Sequence, residues 1–313
     1  MVANRRTAGR NSAVSATCES FQGKKNGGTK RPRFTMFLHI LSLYKLYLKM
    51  DLAWLFRDAK TAILMIIADV LSNLSAVTGI FLLAWRFDGI GGMSRHEVLF
   101  MLAYSTILTG IFQTFFCGGN TAHISRVIGR GQLEHAFIQP LPLPVQWLTS
   151  GFIPLSGSSN LISGIVIMAV AVNQLDLVLP WWWVFSLVLN LIITTSLILA
   201  QSYLSASLAF YAPVQAEEIS SIVIDEFGYI GTFPLSGMPK ALQITLITII
   251  PTGLLAWFPT LALFGKPPFG FSAWYPLLFA IILWVIALFF FKKGLNHYVK
   301  KGINRYHPMG HRR

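Results

Sequence analysis

Residues 61–85 read TAILMIIADVLSNLSAVTGIFLLAW, and Asp69 is the only charged side chain in the run. At ~1.5 Å of rise per residue, a helix of this stretch reaches through a hydrocarbon core ~30 Å thick. A second apolar run follows from Val98 to Cys117, separated from the first by the polar turn WRFDGIGGMSRHE at 85–97. Further spans are expected at Trp147–Val172, from Trp181 to about Tyr211, and at Phe271–Phe291. Gly151, Gly157 and Gly164 suit the third of these to close helix contact, and the Trp181–Trp182–Trp183 triplet suits the fourth to an interfacial belt. Upstream, residues 34–60 place Phe37, Ile40, Leu41, Tyr44, Leu48, Leu52 and Leu55 at helical spacing with Lys45, Lys49 and Arg57 between them. This pattern is expected of an amphipathic helix lying in the membrane interface; the alternative is a continuous extension of the first span.

Composition agrees with a membrane protein. Hydrophobic residues make up 54% of the 313 and charged residues 12%, against ~25% charged in soluble domains. The net charge of +13 could suit nucleic acid, but eight of the basic residues lie in the first 35 positions and seven in the last 22. Basic ends around an apolar middle follow the positive-inside rule and exclude a nucleic-acid groove. The all-α, polytopic chain therefore divides into a basic tail expected to be disordered (1–33), the interfacial helix (34–60), a transmembrane domain (61–295) and a basic cytoplasmic tail (296–313). Residues 1–33 hold no apolar core of signal-peptide length, and Met36 is a candidate start of translation. Cys18 and Cys117 have no disulfide or zinc spacing.

Both ends inside require an even number of crossings, and five spans leave one to be assigned. The segment ALQITLITIIPTGLLAWFPTLALFG at 241–265 is apolar enough, but Pro251 and Pro259 each remove a backbone donor. The segment VQAEEISSIVIDEFGYIGTFPL at 214–235 carries Glu217, Glu218, Asp225 and Glu226, and an acid at mid-membrane costs ~2.5–3.5 kcal/mol on insertion scales. The residues alone leave both open.

Between the second and third spans, residues 118–146 break the apolar pattern with Arg126, Arg130 and Glu134. Within them, ISRVIGRGQLEHAFIQPLPLP at 124–144 resembles the cytoplasmic segment between helices two and three of type-2 ABC exporter permeases, the matching positions being Ile128, Gly131, Leu133, Glu134, Pro140, Leu141 and Pro142. Glu134 stands beside the place where that family commonly has Asp. The spaced Pro234, Pro239, Pro251, Pro259 and Gly265, and a closing stretch with Gly294, Gly302, Tyr306 and Gly310, are similar to the same family. The resemblance covers about 36–310 and lies with the subgroup whose permease is built from paired chains. It implies six crossings, with 214–235 as the fifth and 241–265 as a re-entrant hairpin before the last. It also implies a bacterial plasma membrane, a second and different permease chain, and two copies of a separate ABC ATPase that bind ATP and Mg.

No phosphate-binding loop GxxxxGK[ST] occurs, so this permease subunit is not expected to hydrolyse ATP or to hold a cofactor or metal. The residues expected to couple it to the ATPase are Ile124, Arg126, Ile128, Gly129, Arg130, Gly131, Leu133 and Glu134, as a short helix ending at the glycines; the plain reading is an ordinary positive-inside loop. Inside the membrane the polar candidates are Asp69 with Asn73 one turn later, on the pathway or at a helix contact, and Asp225 with Glu226, as a polar gate or as an interfacial stretch before a buried helix. Few charged groups in the spans favour amphiphilic or hydrophobic substrates such as drug- or antibiotic-like molecules and lipids. The rival function is a membrane scaffold or lipid-handling protein without an ATPase.

Overall fold

The computed structural model describes residues 33–116, 124–129, 131–139, 143–155, 157–175 and 180–301. Residues 1–32, Cys117, Arg130, Pro140, Leu141, Pro142 and the closing tail from Gly302 lie outside them. The chain divides into two units, 1–43 and 44–313; everything below concerns the second unless stated. The described residues are helical, with a lone bridge between Ile90 and Met93 in place of any strand.

Helix α1 (Arg33–Arg57) spans the boundary of the two units. It does not run on into α2 (Ala59–Arg86): Asp58 leaves helical geometry and accepts the Thr61 N–H at 3.4 Å, capping α2. The expected apolar stripe of α1 packs only in part. Tyr44, Tyr47, Asp51 and Leu55 turn inward while Leu48 and Leu52 are exposed. Asp51 is buried and accepts the Leu155 N–H at 2.7 Å, and Tyr44 meets Phe152 edge-on at 4.9 Å.

Helix α3 (Arg95–Phe116) is the central element. Fifteen of its residues are buried, whereas α2 buries only Ala62, Val77 and Ala84. Helix α7 (Ser159–Gln174) packs on α3 more extensively than any other pair of elements does. Glycine makes this possible: a Cβ at Gly110 would collide with the backbone of Leu161, and one at Gly164 would stand 2.7 Å from the Ile107 nitrogen.

The third expected span, Trp147–Val172, is not one helix. It breaks into α6 (Leu143–Ser150) and α7, joined by residues 151–158. Gly151, Pro154, Gly157 and Ser158 lower helix propensity there, and the freed backbone groups find partners on neighbouring elements: Ile153 N–H donates to Thr114 O at 2.9 Å, Thr114 Oγ1 donates to Gly157 O at 3.2 Å, and Asp51 takes Leu155. Irregular backbone is tolerated in a membrane domain when protein satisfies it in this way.

Helix α8 (Trp181–Ala206) continues as a 3₁₀ turn to Phe210, matching the fourth expected span. Helix α9 (Pro213–Gly231) takes up most of 214–235 as a continuous helix about 28 Å long and ends at Thr232. Residues 241–265 form α10 (Lys240–Thr248), a 3₁₀ turn (Pro251–Leu254) and α11 (Trp257–Leu263), with the two halves meeting at 76°. Pro251 opens the 3₁₀ turn and Pro259 falls in the first turn of α11, where a missing N–H breaks no helix bond. The last helix, α12 (Tyr275–Lys301), starts four residues later than expected and runs ten past Phe291, carrying Lys292, Lys293, Lys300 and Lys301 beyond the apolar part. Among the described residues four helices, α2, α3, α8 with its 3₁₀ turn, and α12, are long and apolar enough to cross a membrane, and the bent pair counts as a fifth if it is one span.

Candidate functional site

The 124–139 segment folds into two short helices, α4 (Ile124–Gly129) and α5 (Leu133–Ile138). The reversal between them is made by Gly131, at φ +71°. Its N–H donates to Ile128 O at 3.0 Å, and Gln132 N–H donates to Val127 O at 3.0 Å. These two bonds are those of a Schellman motif, which needs a left-handed residue at its turn. Of the two glycines in IGRG, the second is therefore the one the backbone requires.

One side of this helical pair is anchored. Ile124, Ile128 and Leu133 are almost wholly buried in a cluster with Trp147, Ala209, Phe210, Ala216, Phe291 and Tyr298. These partners belong to α6, the 3₁₀ end of α8, the start of α9 and the end of α12, so three long helices converge on the segment. Phe210 sits edge-on to Phe291 at 5.1 Å and to Tyr298 at 6.2 Å, and lies so close to Gly294 that a Cβ there would enter its ring. Gln146 Nε2 donates to Ala136 O at 2.9 Å, tying α5 to α6.

The other side is open. Glu134 and His135 are exposed, as are Phe137 and Ile138, the latter 80%. Tyr298 OH donates to Glu134 Oε1 at 3.4 Å. Of the eight expected coupling residues, the structure brings together Ile124, Ile128, Gly131 and Leu133 on the buried side and leaves Glu134, bonded by Tyr298, on the exposed side. Arg130 lies outside the described residues, as does the side chain of Arg126; Gly129 closes α4. Sequence reasoning passed over Phe137 and Ile138, two apolar residues beside Glu134 and His135 on the same exposed side.

The expected intramembrane polar pair comes apart. Asn73 turns inward and donates from Nδ2 to Asn160 Oδ1 at 2.7 Å, and Asn160 Nδ2 donates to Gln113 Oε1 at 2.6 Å. This amide chain links α2, α7 and α3. Asp69 is exposed and takes no part in it. Asn160 and Gln113 are separated by 47 positions in sequence, which hid their meeting. Asp225 and Glu226 stand on α9, but their side chains lie outside the description.

At the far end of the spans from the coupling segment, the bent pair is fastened to its surroundings. Ser94 and Glu97 form a reciprocal capping box at the start of α3, with Ser94 N–H to Glu97 Oε2 at 2.8 Å and Glu97 N–H to Ser94 Oγ at 3.3 Å. The other Glu97 oxygen pairs with Lys266 Nζ at 2.9 Å, just past α11. Trp257 Nε1 donates to Ser236 Oγ at 2.6 Å, Gln243 Nε2 to Met238 O at 2.7 Å, and Tyr275 OH to Ile247 O at 3.2 Å. Pro234 and Pro251 are buried in this assembly, with Pro259 in the same buried run; Pro239 is exposed.

These features place an anchored two-helix segment at one end of a membrane bundle and a tied-down bent pair at the other. A family model described as ABC-2 family transporter protein matches residues 70–302. The chain belongs to that family. No curated protein and no solved structure matched it. This ABC-2 chain is a multi-pass membrane protein and the permease component of an ABC transporter, and the match takes in the whole coupling segment, the amide chain and the bent pair. ABC-2 permeases typically work with ATPase subunits.

Proposed function

We propose that this ABC-2 permease is the membrane half of an ATP-driven exporter and that α4 and α5 receive the motion of its ATPase. The observation that carries the reading is the convergence of α8, α9 and α12 on Ile124, Ile128 and Leu133. A displacement of so short a segment bears on three long helices at once, because packed side chains transmit it without slack. The exposed Glu134, Phe137 and Ile138 form the docking face, with Arg126 and Arg130 beside them in sequence orienting the partner by charge-assisted bonds. ATP and Mg belong to two copies of that partner.

In this reading the six crossings are α2, α3, α7 with the 151–158 loop, α8, α9 and α12. The bent pair is the re-entrant hairpin, α1 lies in the interface, and both termini are cytoplasmic in a bacterial plasma membrane. Helix α2 supports the pairing of this chain with a second permease. Ala68, Ser72, Ala76 and Gly79 make a small-residue stripe that is exposed along its length, and Asp69 lies beside it. A carboxylate at that depth is costly against lipid and is better placed against protein or a polar cavity. The cargo is amphiphilic or hydrophobic.

Affinity purification in mild detergent, followed by mass spectrometry, tests the reading. Wild-type chain should bring down a nucleotide-binding ATPase, and chain with 120–139 replaced by a Gly/Ser linker should not. An ATPase retained by both moves the contact away from α4 and α5. Its absence from the wild type under every gentle condition overturns the exporter and favours a membrane scaffold or lipid-handling protein.

A further inference from the structure

A cleft of about 550 Å³, its open mouth included, lies between the first three turns of α8, the end of α11 and the lead-in to α12. Trp182, Ser186, Asn190 and Ile193 line it from one face of α8, Ala262 and Leu263 from α11, and Trp274 from the lead-in. Its back wall is fixed: Trp183 is buried, donates from Nε1 to Leu263 O at 3.3 Å, and is met edge-on by Phe100 at 5.8 Å. Its rim is not. Trp182 and Trp274 are exposed, and among the described residues neither ring contacts another aromatic ring or donates a hydrogen bond.

Asn190 gives the cleft its chemistry. Its Nδ2 donates to Ser186 O at 2.9 Å. That bond to a carbonyl fixes which end of the carboxamide is nitrogen. The remaining oxygen, Oδ1, accepts no hydrogen bond among the described residues. Asn190 stands about 13 Å along the helix axis from Trp181, which puts its acceptor well inside the hydrocarbon if the tryptophans mark the interface. An amide acceptor unmet at that depth is unfavourable, and a donor brought by a ligand relieves it.

We infer that this cleft is a binding site for amphiphiles that have a flat or ring-shaped apolar body and a hydroxyl or N–H group that reaches Asn190. The body lies between the rim tryptophans and the Trp183 wall, and the donor goes in first. Acyl chains of ordinary lipids have no donor at this depth, so they fill the cleft without satisfying Asn190. The inference rests on the membrane-exporter reading for its depth and names a substrate class for it, but the binding belongs to this chain alone and needs no ATPase.

The test uses the full chain in phosphatidylcholine nanodiscs and a matched pair of indole quenchers, 6-bromo-2-naphthol and its methyl ether, which lacks the donor. With quencher concentrations corrected for partition into the bilayer, the naphthol should quench tryptophan emission at about tenfold lower concentration than the ether. In Asn190→Leu the two should become equal. In Trp182→Phe, an exposed position that leaves the fold intact, the amplitude quenched by the naphthol should fall. Equal quenching by the pair in the wild type, a preference that survives Asn190→Leu, or an unchanged amplitude in Trp182→Phe each overturns the site. Failure of ATPase co-purification leaves these results untouched, so the two readings fail separately.

Discussion

Replacing Ile128 with alanine removes the side chain that ties the coupling segment to its base. Ile128 is 1% exposed and packs in the cluster that holds Phe210, Phe291 and Tyr298. Truncating a buried isoleucine to alanine costs ~2–5 kcal/mol, with the larger values where the surroundings cannot collapse into the hole. Here the ring cluster of Trp147, Tyr203, Phe210 and Phe291 is braced by its own edge contacts of 5.1–5.4 Å, so little collapse is available. The loss falls on local docking of α4 and α5 and leaves the α3–α7 core intact, because the two clusters are distinct. At ~1.4 kcal/mol per tenfold, local opening should rise roughly 30- to 4,000-fold. Hydrogen–deuterium exchange of the chain in nanodiscs reads this directly: peptides covering 124–133 should lose protection while those from 98–110 keep it. Unchanged exchange in 124–133 would refute the claim that these residues are what hold the segment. Equal loss in 98–110 would refute the claim that the segment is a separately docked element.

Other changes give sharp contrasts. Gly110→Ala should lower the thermal unfolding midpoint in detergent clearly, because its Cβ meets the Leu161 backbone, whereas Gly79→Ala, with nothing within 4 Å, should leave it equal or raise it, since alanine gains ~1 kcal/mol over glycine in a helix. Asn160→Ala cuts both bonds of the amide chain and should destabilise by ~1–3 kcal/mol, from an average near 0.6 and a maximum near 1.7 kcal/mol per such bond in membrane proteins, and the cycle with Gln113→Ala should be non-additive in chemical denaturation. Lys266→Ala should cost under ~1 kcal/mol because the lysine is 64% exposed, while Glu97→Ala should cost more in the same assay, since it also removes half of the capping box.

Much of the fold was legible because a bilayer demands long apolar helices. The first, second, fourth and last spans were found from hydropathy alone, and their ends moved by only a few residues except at α12, whose charged final turns carry no apolar signal. The third was misjudged as one helix. Its glycines and Pro154 were visible, but only contacts with Thr114 and Asp51, distant in sequence, make a break there affordable. In the coupling segment the break at the glycines was readable from the sequence, but the burial of Ile124, Ile128 and Leu133 within this chain was not. Their partners Phe210 and Tyr298 lie far along the chain and could not be read. The amide chain escaped notice for the same reason: Asn73 was singled out with Asp69, its neighbour on the helix, but it bonds to a residue 87 positions away.

The sequence by itself determined the solvent of this protein, the rough place of four of its long apolar helices, the basic ends and the family to which it belongs. These follow from local composition and spacing, which act before any fold is made. The tertiary structure decided which polar groups meet, where a span breaks and how the prolines are absorbed. It also decided that the coupling segment stands on three helices at once. Such facts depend on contacts between residues remote in the chain, and no local pattern encodes them.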